Sequence, residues 1–398
     1  MRLLIAGGGT GGHIYPALAV VGALRRRAAD AEVAWLGGQR GLEASLVRAA
    51  GIPLRRLVAR SLRSVDRDIH LVLDPVRLGA SVPQALAILA RTRPAAIFTT
   101  GGYVAIPVVI AARALGVPVL LWEGNLRPGR SARAISGLVR AVAVSFAATC
   151  DALPRRIACY DTGTPIRDLG TADRAAARAR LGIPTGASVV LVFGGSQAAR
   201  RLNEAVAALL PELVERRVVS HVTGDADYAA ALAARERLPA EVRDRYRPAP
   251  FLREAMADAL AAADLVVGRA GSSTLAEATA LGLPLVVVPY PYAGGHQADN
   301  AASLAEAGAA ILIPDEAFDG AALLGATAVL DDPDRLATMR GASRRLGRPG
   351  AADAVAALLL ALARRSPLPT PAEIARLAAG GSLTAPPWRG EPGPEPAA

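Results

Sequence analysis

Residues Gly7 to His13 read Gly-Gly-Gly-Thr-Gly-Gly-His. They follow the apolar run Leu3-Leu4-Ile5-Ala6, which reads as a buried strand. They precede Tyr15-Pro16-Ala17-Leu18-Ala19-Val20, which opens a helix with proline in its first turn. A strand, a glycine turn and a helix start aim free backbone N–H groups and the helix dipole at one spot. Glycine also lets a phosphate or a sugar approach the main chain without a Cβ in the way. His13 stands at the exit of the turn, where its imidazole can face whatever the loop holds. The spacing is not the dinucleotide fingerprint, and no Gly-Lys-Ser/Thr follows to make a P-loop. The plain alternative is a tight strand–helix turn with no ligand.

The rest of the chain repeats that theme. Strand-like runs at Arg2–Ala6, Val33–Leu36, Leu54–Val58, Ala96–Thr99, Val119–Trp122 and Ala141–Ser145 alternate with helical patterns such as Leu42–Ala50 and Pro75–Ala90. This is the signature of an α/β chain with a parallel sheet covered on both faces. The run Cys159–Pro165 reads as a linker. The pattern then restarts at Val189–Phe193, Val218–Val222, Leu265–Gly268, Leu285–Pro289 and Ala310–Ile313. Two doubly wound domains are expected, residues 1–163 and 164–345, each opening with a strand and a glycine turn. Residues 346–365 are expected to form a helix that packs back on the first domain. Residues 366–398, rich in Pro, Gly and Ala, read as a disordered tail in which Pro371–Ala379 can form one short helix. Ligands belong at the carboxyl ends of the strands.

Composition narrows the class. The net charge is +10, and none of the 45 basic side chains is lysine. No basic helix with interleaved aromatics appears, so nucleic acid is not an expected partner; an anionic membrane surface or a phosphate-rich substrate fits the charge. Cys150 and Cys159 make no metal spacing and no disulfide framework, which fits a reducing cytoplasm. The chain enters its first strand with no signal-peptide pattern. No apolar run reaches the ~18 residues of a membrane span.

Further candidates lie at strand ends. Thr100-Gly101-Gly102-Tyr103 is a second glycine turn between strand and helix. Glu123 and Asn125 end the next strand, where turn chemistry is the plain alternative. Arg167 can grip phosphate through paired bonds. Gly194-Gly195-Ser196-Gln197 is expected to set Ser196 over a phosphate. In Gly268–Glu277, small residues end a strand and open a helix, so Ser272, Ser273, Thr274, Leu275 and Ala276 can bring backbone close to a ligand. Glu277 can hold a ribose diol, and Gln297, at the next helix start, can bond sugar hydroxyls. No aspartate pair with metal-ligand spacing accompanies these loops, so no metal and no cofactor are expected.

Taken together these motifs resemble the MurG family, whose members move N-acetylglucosamine from UDP-N-acetylglucosamine to lipid I. The resemblance rests on Gly8–His13 with Pro16-Ala17, Thr100–Tyr103, Gly163–Arg167, Gly194–Gln197, Arg269–Glu277 and His296–Ala301, in that order, and runs from Met1 to about Ala363. It implies a GT-B fold of two Rossmann-like doubly wound domains facing a deep cleft, with the donor mainly on the second. Arg167 and Ser196 would face the pyrophosphate, Leu252 the uracil and Glu277 the ribose. Gln297, Asn125 and Thr10, Gly11 and Gly12 would contact the amino sugar. The acceptor, a polyprenyl-pyrophosphoryl N-acetylmuramyl pentapeptide, would enter over the first two glycine loops, touching Gly101, Gly102 and Tyr103. Leu71–Leu89, with Arg60, Arg63, Arg67 and Arg77 nearby, would lie on anionic lipid at the cytoplasmic face of the membrane. His13 is the expected general base on the acceptor's 4-hydroxyl in an inverting transfer, with Glu123 the rival. Transfer to another lipid or natural-product acceptor, or 2-epimerisation of UDP-N-acetylglucosamine on the same architecture, are the alternatives.

Overall fold

The structure, a computed structural model, describes residues 1–39, 43–59, 70–169, 173–195, 200–252, 255–291 and 295–382. The chain forms two compact units, Met1–Arg167 with Arg348–Ala398, and Asp168–Gly347.

The first unit holds seven parallel strands: β1 (Arg2–Ala6), β2 (Glu32–Gly37), β3 (Leu54–Arg56), β4 (Ala96–Thr99), β5 (Val119–Glu123), β6 (Ala141–Val144) and β7 (Ala158–Asp161), in the order β3-β2-β1-β4-β5-β6-β7. Its helices include α1 (Gly11–Arg27), α2 (Glu43–Ala49), α3 (His70–Thr92), α4 (Gly102–Ala114) and α5 (Arg130–Ile135). The central strands β4, β5 and β6 are buried at every position, as a sheet covered on both faces requires. Leu3, Ile5, Trp35, Phe98 and Trp122 face α1 and the helix Ala351–Ala363. Leu4, Leu36, Ile97 and Leu121 face the other way, against Ala85 and Leu89 of α3 and Val104 and Val108 of α4. The order reverses between β1 and β4, and the glycine loops leave the carboxyl ends of those two strands.

The second unit repeats the plan with β8 (Val189–Phe193), β9 (Val218–Val222), β10 (Tyr246–Ala249), β11 (Leu265–Gly268), β12 (Leu285–Val287) and β13 (Ala310–Leu312), all parallel, in the order β10-β9-β8-β11-β12-β13. Its reversal lies between β8 and β11.

The helix Ala351–Ala363 is apolar almost all round because it is enclosed in the first core. Asp353, in its first turn, takes Arg26 at 3.1 Å and Arg27 at 2.7 Å from the end of α1.

Four expectations need correction. The run read as a linker begins as β7, a short edge strand whose apolar signal is confined to Ala158 and Tyr160. The chain leaves the first unit after Arg167, four residues beyond the expected boundary, because Thr162–Ile166 are buried there. The tail is not disordered from Ser366. Pro371–Ala378 is a helix with a Thr370/Glu373 capping box; its Ile374, Leu377 and Ala378 join the first core, and the Gly350 N–H donates to the Ala378 carbonyl at 2.8 Å. Finally, Cys150 and Cys159 are joined in a disulfide. A 3-10 turn, Ala147–Ala152, lies against β7 and brings their Cα atoms to 5.9 Å.

Candidate active site

In the first unit, the two glycine loops at the carboxyl ends of β1 and β4 meet at His13. Gly9 takes φ +98° and Thr10 caps α1 through its backbone alone, with no side-chain cap bond, so the first amides of the helix at Gly11 and Gly12 stay open to a ligand. His13 Nδ1 lies 2.8 Å from the Thr100 carbonyl oxygen. A carbonyl only accepts, so in the neutral ring Nδ1 carries the proton and Nε2 the lone pair. Gly102 lies beside this ring, where a Cβ would stand 3.8 Å from Nε2 in ordinary contact; it is the φ of +76° that calls for glycine. The Gly102 N–H donates to Ser131 Oγ at 3.1 Å, which ties the second glycine loop to α5.

Glu123 is 6% exposed at the end of β5. Its Oε1 accepts the backbone and side-chain N–H groups of Asn125 at 2.9 and 3.1 Å. Its Oε2 accepts the Gly129 N–H at 2.9 Å. Thr149 Oγ1 donates to the carbonyls of Asn125 and Leu126 from below. Asn125 is therefore held within this loop. Arg167, at the end of the unit, sets its guanidinium 5.9 Å from the ring centre of Tyr15 in α1.

The sequence reading missed Glu43. Its carboxylate is buried under the first loop, accepting the N–H groups of Gly9 at 3.1 Å and Gly38 at 3.0 Å. The Gly9 amide is therefore not part of an open anion site. Nothing local marked Glu43, since its partner Gly9 lies 34 residues away.

In the second unit, two helices start at the carboxyl edge without a side-chain cap: Ser272–Ala280 after Gly271, and His296–Glu306 after Gly295. Their N-termini are anion-binding ends. Gly268 is required between them and β8, because a Cβ there would stand 2.9 Å from the Phe193 carbonyl. Ser272, Ser273 and Thr274 are half-buried, and Ser273 Oγ is a buried hydroxyl with no partner among the described residues. Leu275 differs: its N–H already bonds the Gly271 carbonyl, and its side chain is in the core. Ala276 follows it inside the helix. Glu277 is buried at 6% on that helix.

Arg269 braces the loops. Its guanidinium bonds the Val288 carbonyl and Asp315 and lies 5.5 Å from the Tyr290 ring centre. Gln297 Oε1 accepts the Tyr290 N–H at 2.9 Å, so one end of that amide is structural and its NH2 is the end that can donate to a sugar. Leu252 follows the exposed Phe251 beyond β10. Ser196, and Arg60, Arg63 and Arg67 of the expected lipid-facing segment, lie outside the described residues, as do the side chains of residues 70–75.

β9 carries a buried polar network in the second unit. His221 Nδ1 and Nε2 stand 2.9 Å from Tyr246 Oη and Asn203 Oδ1, and Asn203 Nδ2 donates to the Thr223 carbonyl and to Asp227. Burial pushes the His221 pKa down to about 4, against the opposing pull of Asp227, and pushes that of Tyr246 up.

Two Rossmann-like units, each with glycine turns and helix N-termini at the carboxyl edge, make the GT-B architecture of nucleotide-sugar enzymes. Residues 3–144 match the glycosyltransferase family 28 N-terminal domain and residues 189–355 its C-terminal domain. A Desulforudis audaxviator protein named UDP-N-acetylglucosamine–N-acetylmuramyl-(pentapeptide) pyrophosphoryl-undecaprenol N-acetylglucosamine transferase is 42% identical over 370 residues, 91% of this chain and 99% of that one. The crystal structure of Acinetobacter baumannii MurG is 29% identical with a TM-score of 0.73, covering 90% of this chain and 99% of its own. The spinosyn rhamnosyltransferase SpnG shares the fold, at 18% identity and a TM-score of 0.63, over 92% of this chain and 100% of its own. The chain belongs to the MurG family within glycosyltransferase family 28.

Proposed function

We propose that this protein transfers N-acetylglucosamine from UDP-N-acetylglucosamine to the 4-hydroxyl of the N-acetylmuramyl group of lipid I, making lipid II for the cell wall. The observation that carries the chemistry is the His13–Thr100 hydrogen bond, which puts a lone pair on Nε2 beside the second glycine loop. The named relatives carry the substrates.

The donor binds mainly on the second unit. Helix N-termini at Ser272–Thr274 and the Arg167 guanidinium, with Ser196, hold the pyrophosphate; Glu277 holds the ribose, Leu252 the uracil, and the Gln297 NH2 a sugar hydroxyl. The first unit binds the acceptor over Gly101, Gly102 and Tyr103, with Thr10–Gly12 and Asn125 at the amino sugar. In the transfer, the 4-hydroxyl oxygen bonds to the anomeric carbon as the bond to UDP breaks, with inversion. The hydroxyl proton passes to His13 Nε2. Charge growing on UDP is met by preorganised donors, so turnover survives EDTA. The three bonds to Glu123 make it the anchor of the Asn125 loop rather than the base. The enzyme works at the cytoplasmic membrane face, lying on anionic lipid through α3.

The test is UDP release with and without lipid I, with mass spectrometry of the product. Lipid I-dependent UDP release and a product heavier by one N-acetylhexosamine are expected. Turnover without free UDP would make it an epimerase, and UDP release with a different acceptor would reassign the substrate.

A further inference from the structure

Glu43 opens α2, a position where a carboxylate normally faces solvent, yet it is 1% exposed. Glycines from two loops close around it. Gly9 and Gly38 each donate a backbone N–H to it. A Cβ on Gly8 would stand 2.5 Å from its Oε1, and one on Gly37 would stand 2.9 Å from its Cγ. Tyr103, carried by the second glycine loop, covers the same place: a Cβ on Gly38 would meet its hydroxyl at 2.2 Å, and one on Gly9 its ring at 3.5 Å.

Burying a carboxylate is costly unless its oxygens are bonded. Charge-assisted bonds from two amides offset that cost and lock both loops to one atom group. At an open glycine loop, an amide such as that of Gly9 would face an external anion. Here the chain supplies the anion itself, from beneath. The amide of Gly9 is thereby fixed just ahead of Thr10, whose carbonyl accepts the N–H of His13 at 3.1 Å.

We infer that Glu43 is a positioning residue for the transfer reaction, an internal anion that sets the first glycine loop and, through it, the place of His13. This rests on the transferase reading above. Glu43 does not touch substrate. Its loss moves the first glycine loop and the base rather than the nucleotide site of the second unit.

The experiment uses the full chain and two readouts. Glu43→Gln keeps the shape but sets an NH2 against one of the two backbone donors. It is expected to lower kcat by about tenfold or more, as misplacing a reacting group does, while the Kd for UDP, held by the second unit, stays within about twofold. The second readout needs no activity. The chain has 4 histidines, so 15N-histidine labelling resolves the imidazoles by NMR. The His13 signals are expected to shift in Glu43→Gln while those of His221, in the second unit, stay put. Gly8→Ala, whose new methyl would press on Oε1, is expected to reproduce both effects and serves if Glu43→Gln fails to fold. A wild-type protein that transfers nothing, with the His13 shift intact, would sink the transferase reading and leave the positioning role standing. Unmoved His13 signals in a folded variant would overturn the role. So would a kcat loss that only tracks the unfolded fraction.

Discussion

The Gly129 N–H donates to Glu123 Oε2 at 2.9 Å, while Asn125 occupies the other carboxylate oxygen. A carboxylate whose two oxygens already take three N–H donors is committed to holding its own loop. His13→Ala is therefore expected to cut kcat by at least about a hundredfold, the usual scale of base catalysis, with UDP affinity unchanged. Glu123→Gln should instead loosen the loop that carries Asn125 and raise the donor KM. Steady-state kinetics on both variants decide it; a dead Glu123→Gln beside a near-normal His13→Ala would reverse the assignment.

Glu277→Ala is expected to raise the donor KM by roughly tenfold or more, which corresponds to losing a charged bond worth about 1.5–3 kcal/mol. The lipid KM should barely move. An unchanged donor KM would reduce Glu277 to a carboxylate that merely suits the helix dipole.

Removing residues 366–398 takes Ile374 and Leu377 out of the first core. Burial of two such side chains stabilises by roughly 3–6 kcal/mol in total, so the melting temperature should fall by several degrees or more. Removing only residues 383–398 spares that helix and should leave the melting curve in place. Equal curves for both truncations would mean the helix Pro371–Ala378 contributes no stability.

His221 sets a pH dependence. Its pKa is about 4 in the folded protein and 6.5 as an ordinary histidine. Between those values the unfolded chain binds a proton that the folded chain refuses. Stability is therefore full above pH 6.5 and falls as the pH drops toward 4, by ~3 kcal/mol across the window. Thermal melts of the wild type and of His221→Gln should show this slope in the first and a shallower one in the second. Parallel curves would assign the slope to other groups.

Much of the fold was legible in the sequence because its signals are local. β8 and β11 are continuous apolar runs, β1 and β4 are apolar but for Arg2 and Thr99, and β9 sets Ser220 and His221 among valines; all five fall where expected. The glycine turns at Gly7–Gly12 and Gly101–Gly102 announce themselves by composition. The edge strands β7 and β10 did not, since each is 4 residues long and carries polar side chains or proline. Glu43 looked like any exposed helix-start glutamate; its burial depends on the absence of side chains on Gly8 and Gly37. The helix Pro371–Ala378 was readable from Thr370, Pro371 and Glu373, but its docking depends on Gly350, where a Cβ would strike the Leu377 carbonyl at 2.0 Å.

The helix Ala351–Ala363 belongs to the first unit although all of Asp168–Gly347 precedes it in the chain. On a ribosome, the unit that starts first therefore closes last. Leu3, Ile5 and Leu24 emerge early, then wait through the synthesis of an entire second unit before Val355, Leu358 and Leu359 arrive to cover them. The second unit, continuous in the chain, can finish folding during that wait. The nascent first unit meanwhile carries an uncovered apolar face, which makes the last stage of translation the step most exposed to misassembly and most in need of a chaperone.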